Sequence, residues 1–135
     1  MRVAVRYYSR GGNTEKLAKA IAEAIGVEAK TVAEPLEERT DFLFLGSSVY
    51  AAGMDESVKR FVVDNQNKIG KLYNFSTAAL LSSTYKQMRK LAEECDVDLS
   101  ELEFHCRGSF GPMHKGRPNE QDLEAARAFA QRICR

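Results

Sequence analysis

Apolar runs of strand length alternate along this chain with stretches of helical periodicity, and that alternation narrows the fold more than any other feature. Residues 2–8 alternate loosely around Val3, Val5 and Tyr7 and read as a first strand. Leu17, Ala20, Ile21, Ala24 and Ile25 fall on one face of a helix predicted over 14–25, with Gly26 as its stop. Residues 27–32 read as a weak, charged edge strand. The unbroken run Phe42-Leu43-Phe44-Leu45 predicts a central strand buried on both faces. Asp55 caps a second helix carrying Val58, Phe61 and Val62, and residues 75–81 predict a fourth strand. A third helix opens with capping-box spacing at Thr84-Tyr85-Lys86-Gln87 and places Met88, Leu91, Ala92 and Cys95 at helical intervals. Leu102, Phe104 and Cys106 alternate in a fifth strand, and Pro118-Asn119 opens a last helix with Leu123, Ala126, Phe129, Ala130 and Ile133 facing in. The order βα, β, βα, βα, βα predicts an α/β fold, doubly wound, with a five-stranded parallel sheet between helical layers.

A chain of 135 residues without a linker, repeat or low-complexity tract reads as one domain over 1–135. Nothing approaches ~18 consecutive apolar residues, which excludes a membrane-spanning helix. Met1-Arg2-Val3 leads directly into a strand with no leader-type apolar segment, so a cytoplasmic location is expected. Charge is even: 20 basic against 19 acidic residues, with a surplus of no more than two in either half, which removes the electrostatic case for nucleic acid. Cys95, Cys106 and Cys134 are scattered and odd in number, arguing against both a disulfide framework and zinc. Cys95 and Cys106 read as small buried hydrophobes, and Cys134 as loose near the chain end.

In an open α/β sheet, ligands lie outside the carboxyl ends of the strands. Three predicted loops meet there. The first, Ser9-Arg10-Gly11-Gly12-Asn13-Thr14, joins a strand to a helix N-terminus, where unpaired N–H groups and the positive end of the helix dipole favour an anion. Gly11 and Gly12 let the backbone curl closely, Ser9, Asn13 and Thr14 offer side-chain donors, and Arg10 either adds a charge or points to water. The second loop is Ser47-Ser48-Val49-Tyr50-Ala51-Ala52-Gly53-Met54, and the third is Ser82-Ser83-Thr84-Tyr85. Each of these two brings small hydroxyls and one tyrosine. Together Tyr50 and Tyr85 are candidates to enclose a planar aromatic ligand, with Ser47, Ser48, Ser82 and Ser83 meeting ring heteroatoms and Gly53 allowing close backbone approach.

The chain resembles the short-chain flavodoxins and flavodoxin-like proteins through nearly its whole length. Their phosphate loop reads Ser/Thr-x-Thr-Gly-Asn-Thr, matched here by Ser9-Arg10-Gly11-Gly12-Asn13-Thr14 with Gly11 where threonine is usual. Leu45-Gly46-Ser47-Ser48-Val49-Tyr50 resembles the second loop of the family, whose aromatic residue covers one flavin face, and 82–85 resembles the third. The resemblance implies strand order 2-1-3-4-5, FMN bound without a covalent bond, and one-electron chemistry whose potential the protein tunes. A peptide within Ala51-Ala52-Gly53 is the candidate carbonyl facing the ring. Flavodoxins are typically acidic, whereas this chain is not, which sets its redox partners apart from the usual set.

The stretch 107–118 is rich in glycine and proline and is basic, a candidate to lie over the flavin edge or to offer a docking patch, or else a plain solvated connection. Neither His105 nor His114 has a carboxylate or cysteine at ligand spacing, so both read as structural or solvated. No catalytic triad or metal set assembles. The reading is an FMN-binding carrier between a protein donor and acceptor, without membrane insertion, monomeric or weakly dimeric. An FMN-dependent oxidoreductase of the NAD(P)H:quinone or porphyrinogen type is the alternative, and a flavin-free binding module the third.

Overall fold

The computed structural model of the chain describes residues 1–50, 53–78, 83–109 and 114–135, with Val49 and Tyr50 described through their backbone. Its elements run β1 (Val3–Tyr7), α1 (Asn13–Ile25), β2 (Ala29–Thr31), β3 (Thr40–Tyr50), β4 (Gly53–Met54), α2 (Glu56–Asn65), a 3-10 turn (Gln66–Lys68), β5 (Ile69–Ala78), α3 (Tyr85–Cys95), β6 (Phe104–Arg107) and α4 (Glu120–Ile133). Five parallel strands lie in the order β2-β1-β3-β5-β6, which is the expected doubly wound order once the short β4 is set aside. The weak strand β2 is indeed at the edge.

Two cores sandwich the sheet. On one side Val5, Leu17, Ile21, Phe44, Phe75, Ala126 and Phe129 join α1 and α4 to the strands. The rings of Phe44 and Tyr73 stack at 5.2 Å on this side. On the other side Leu43, Leu45, Val58, Val62, Leu72, Met88 and Leu91 join α2 and α3 to it. The run Phe42-Leu43-Phe44-Leu45 is apolar throughout because its side chains alternate between these two cores.

The structure corrects several expectations. β3 does not end at Leu45. It carries Ser47 and Ser48 onward within the sheet and turns back as an antiparallel pair, Val49 opposite Met54 and Tyr50 opposite Gly53. β5 begins at Ile69 rather than Phe75, because Gly70, Lys71 and Asn74 interrupt an apolar run that pairs with β3 from Thr40 onward. Leu102 lies outside β6 and is exposed, since the parallel pairing starts at Phe104. All three cysteines are half-buried, and Cys134, expected to be loose, packs against the α1/α4 core.

No helix joins β2 to β3. Instead the connection over 32–39 crosses the sheet above Arg6, which is buried and donates from Nε to the Glu34 carbonyl at 2.9 Å and from Nη2 to the Pro35 carbonyl at 3.3 Å. Its aliphatic stem does the covering that a helix would otherwise do.

The charges are sorted by end. At the carboxyl ends of the strands, the connections and strand ends carry Arg10, Arg107, Lys115 and Arg117 against Glu34, Asp55 and the Asp122 carboxylate that pairs with Arg117. The opposite end carries Glu28, Glu37, Glu38, Asp41, Asp96 and Asp98 against Arg2, Arg39 and Lys68.

Candidate functional site

The loop after β1 is shaped by its glycine. Gly12 is the N-cap of α1 at φ 92°, ψ −5°, a left-handed conformation that costs glycine little. Its amide donates to Ser9 Oγ at 3.0 Å, which closes the curl. No side chain caps α1, whereas Asp55 caps α2 through Ser57 N at 2.9 Å and Asn119 caps α4 through Asp122 N at 3.0 Å. The N–H groups of the first turn of α1 therefore face the loop without a side-chain acceptor, beside the positive end of the dipole. Arg10 lies near enough to Asp55 that its charge helps hold that carboxyl below its ordinary range, after the larger effect of the Ser57 hydrogen bonds.

Asn13 and Thr14, expected to aim donors into the loop, point elsewhere. Thr14 is buried, donates to Ser48 Oγ at 3.1 Å and lies 2.9 Å from Thr77 Oγ1. Asn13 Nδ2 donates to the Ser109 carbonyl at 3.0 Å, tying the loop to the segment after β6. Ser47 and Thr84 are buried too. Ser47 donates to Thr84 Oγ1 at 3.1 Å, and Thr84 is also linked to Asn74 at 2.9 Å and to Ser76 Oγ through its own amide at 3.3 Å. The capping box expected at Thr84 is accordingly absent, because its hydroxyl is engaged by the sheet rather than by the first turn of α3.

The third loop is split. Ser83 Oγ accepts from Tyr85 N at 3.0 Å and donates to Glu103 at 3.1 Å. Tyr85 does not approach the β1–α1 loop. Its hydroxyl donates to the Ser100 carbonyl at 2.9 Å, and its ring lines a hollow with Arg89 and Val97 beside α3. Ala51, Ala52 and Ser82 lie outside the described residues, as do the side chains of Val49 and Tyr50. Gly53 has φ 92°, with Gln87 Nε2 beside it. The Gln87 Oε1 atom is buried with no hydrogen-bond partner among the described residues. His105, expected to lack a carboxylate, has Glu103 Oε1 2.7 Å from Nδ1 on the exposed face of β6.

Sequence reasoning missed Asn74, Ser76, Thr77, Gln87 and Gly108. For Asn74, Ser76 and Thr77 the available signal was polar residues in the carboxyl half of a strand buried on both faces, where each must find a partner; Gln87 on α3 and Gly108 after β6 carried none. A groove of about 930 Å³ also opens beside the loop, between the 31–35 connection and α2, with Tyr8, Arg10, Val32, Arg60 and Phe61 among its walls.

The sequence profile of the flavodoxin domain matches residues 4–102, from β1 through the approach to β6. The chain belongs to the flavodoxin-domain family. An uncharacterized protein of Methanocaldococcus jannaschii is 30% identical to it over 139 residues, covering 91% of each chain. Among solved structures, a flavodoxin from the domain Archaea superposes with TM-score 0.80 at 17% identity, over 99% of this chain and 96% of the other. Flavodoxin 1 of Bacillus cereus superposes with TM-score 0.73 at 18% identity, over 97% and 95%. These likenesses extend the flavodoxin fold across the whole chain, including α4 beyond the matched profile. In this flavodoxin-domain protein the loop hydroxyl at Thr14 and the amide at Asn13 are internal ties, which leaves the main-chain N–H groups of the first turn of α1, with Ser9 and Arg10, facing the loop.

Proposed function

We propose that this protein binds FMN without a covalent bond and passes electrons between redox partners. Membership of the flavodoxin family and the matching fold suggest flavin-binding electron transfer. The observation that carries the reading to FMN is the N-terminus of α1. It begins on a left-handed glycine with no side-chain cap, and the space on the Cβ side of Gly12 is empty to 4 Å. A terminal phosphate fits as the absent cap, held by main-chain N–H groups and the dipole. At the other end, Gln87, whose Nε2 lies beside Gly53, has a buried Oε1 with no partner among the described residues, an acceptor that a ring N–H would suit. Bound FMN supplies reversible electron transfer at its ring. The chain provides the rest: Ser9 closes the curl, Arg10 adds positive charge, and the hydroxyls of Ser47, Ser48, Thr77 and Thr84 form a dry, hydrogen-bonded floor.

A redox partner would approach the carboxyl ends of the strands, and the cations there suit one with an acidic docking face. An FMN-dependent oxidoreductase is the second reading. The groove beside the loop favours it, since it offers a second ligand room next to the first.

A titration decides the matter. The protein, stripped of bound small molecules, is mixed with FMN while flavin fluorescence and visible absorbance are followed. Saturable binding at one site is expected. Failure to bind sinks the proposal and leaves a flavin-free binding module. Oxidation of NADH or NADPH by the FMN-loaded protein alone would favour the oxidoreductase.

A further inference from the structure

Thr77 stands where the ties of the anion loop converge. A hydroxyl carries one hydrogen. Thr14 gives its own to Ser48 Oγ at 3.1 Å, so the 2.9 Å contact between Thr14 and Thr77 is donated by Thr77. The chain Thr77 to Thr14 to Ser48 thus runs through three buried side chains on β5, α1 and β3. The other side of Thr77 supports the second tie. Gly108 packs so closely that a Cβ there would lie 2.9 Å from Asn13 Nδ2 and 3.2 Å from Thr77 Cβ. Ser109, the next residue, receives the Asn13 amide. Thr14 is therefore braced by Thr77, and its neighbour Asn13 is held by the Ser109 carbonyl, with Gly108 wedged between the two ties.

We infer that Thr77 is a positioning residue for the phosphate-binding loop: it fixes the direction of the N-terminal N–H groups of α1 through Thr14. It touches no ligand itself. The inference rests on the FMN reading above and deepens it. Because the side chains of Asn13 and Thr14 are held internally, grip on a phosphate depends largely on how rigidly the main chain is aimed, and Thr77 sets that aim. Its removal should weaken contacts to the phosphate and spare those to the ring.

The test compares FMN with riboflavin, which has the same ring and ribityl chain and no phosphate. Affinities for both are measured by fluorescence titration in the wild type, Thr77→Val, Thr77→Ser and Gly108→Ala, with melting temperatures alongside. Valine keeps the shape and removes the donor, leaving the Thr14 oxygen without it. A loss of about tenfold in FMN affinity is expected, the scale for one buried hydrogen bond. Riboflavin affinity stays at the wild-type value, and Thr77→Ser restores FMN binding. Gly108→Ala, which presses on the brace from the opposite side, should repeat the selective loss and serves if Thr77→Val fails to fold. Equal losses for FMN and riboflavin, or unchanged FMN affinity, overturn the inference. A wild type that binds both flavins equally also overturns it, while one that binds neither removes the FMN reading itself.

Discussion

A single residue, Gly12, decides whether the loop after β1 can exist in this shape. Its φ of 92° lies where a side chain is strained, by about 1–3 kcal/mol. Collision is not the reason, since apart from its chain neighbours no described residue comes within 4 Å of where a Cβ would stand. Gly12→Val should therefore keep the fold with a modest drop in melting temperature. It should lose FMN affinity by tenfold or more, read in the same titration, because the curl must relax to take valine. Unchanged affinity would place the phosphate elsewhere. The glycine was legible in the sequence, as a strand, two glycines and a helical pattern in a row. The roles of Asn13 and Thr14 were not. A side chain that ends a loop looks the same in sequence whether it faces a ligand or a neighbouring strand, and here the neighbours Ser48, Thr77 and Ser109 are 34 or more residues away.

Whole elements show the same divide between local and distant causes. α4 begins with a reciprocal box: Asn119 Oδ1 accepts from Asp122 N at 3.0 Å and Asp122 Oδ2 accepts from Asn119 N at 2.8 Å. Arg117 adds hydrogen bonds of 2.6 and 2.9 Å to the same carboxylate. Hydrogen bonding from Arg117 holds the Asp122 carboxyl below its ordinary range, against an opposing effect of burial. A carboxyl lowered on folding stabilises the protein above its unfolded value of about 3.9, and that contribution fades as pH falls through the folded value. Asp122→Asn should cost about 1 kcal/mol at neutral pH in urea unfolding, and the gap to wild type should narrow below about pH 4. A gap independent of pH would mean that the carboxylate is not what matters. Such caps were readable because they join residues two or three apart, as at Asp55 and Asn119. Thr84 has the same spacing to Gln87 and no box, because Ser47 and Asn74 hold its hydroxyl. The start of β5 was hidden for a related reason: Gly70, Lys71 and Asn74 are tolerated in a strand whose pairing with β3 is fixed by the sheet, not by its own apolar content. Likewise Ser47 and Ser48 read as a loop by residue type and belong to β3 by tertiary pairing.

Across the whole molecule the alternation of strands and helices was enough to give the doubly wound sheet, since burial on both faces leaves few other solutions. The even charge count concealed the sorting of charge by end. Retention on a cation exchanger reads it directly. Arg107→Gln with Lys115→Gln should bring elution to clearly lower salt. Arg2→Gln with Arg39→Gln removes the same two charges from the acidic end and should change elution little. Equal shifts would mean that the two ends behave alike.

If the exchanger separates the two ends in this way, the protein carries an electric dipole along the strand axis although its net charge is +1. In the field of a negatively charged body the molecule experiences a torque before any surfaces meet, effective over the ~10 Å that dilute salt permits. Such a molecule would arrive already turned, the carboxyl ends of its strands leading. A dilution of salt would then speed productive encounters by aligning them, with hardly any change in overall attraction.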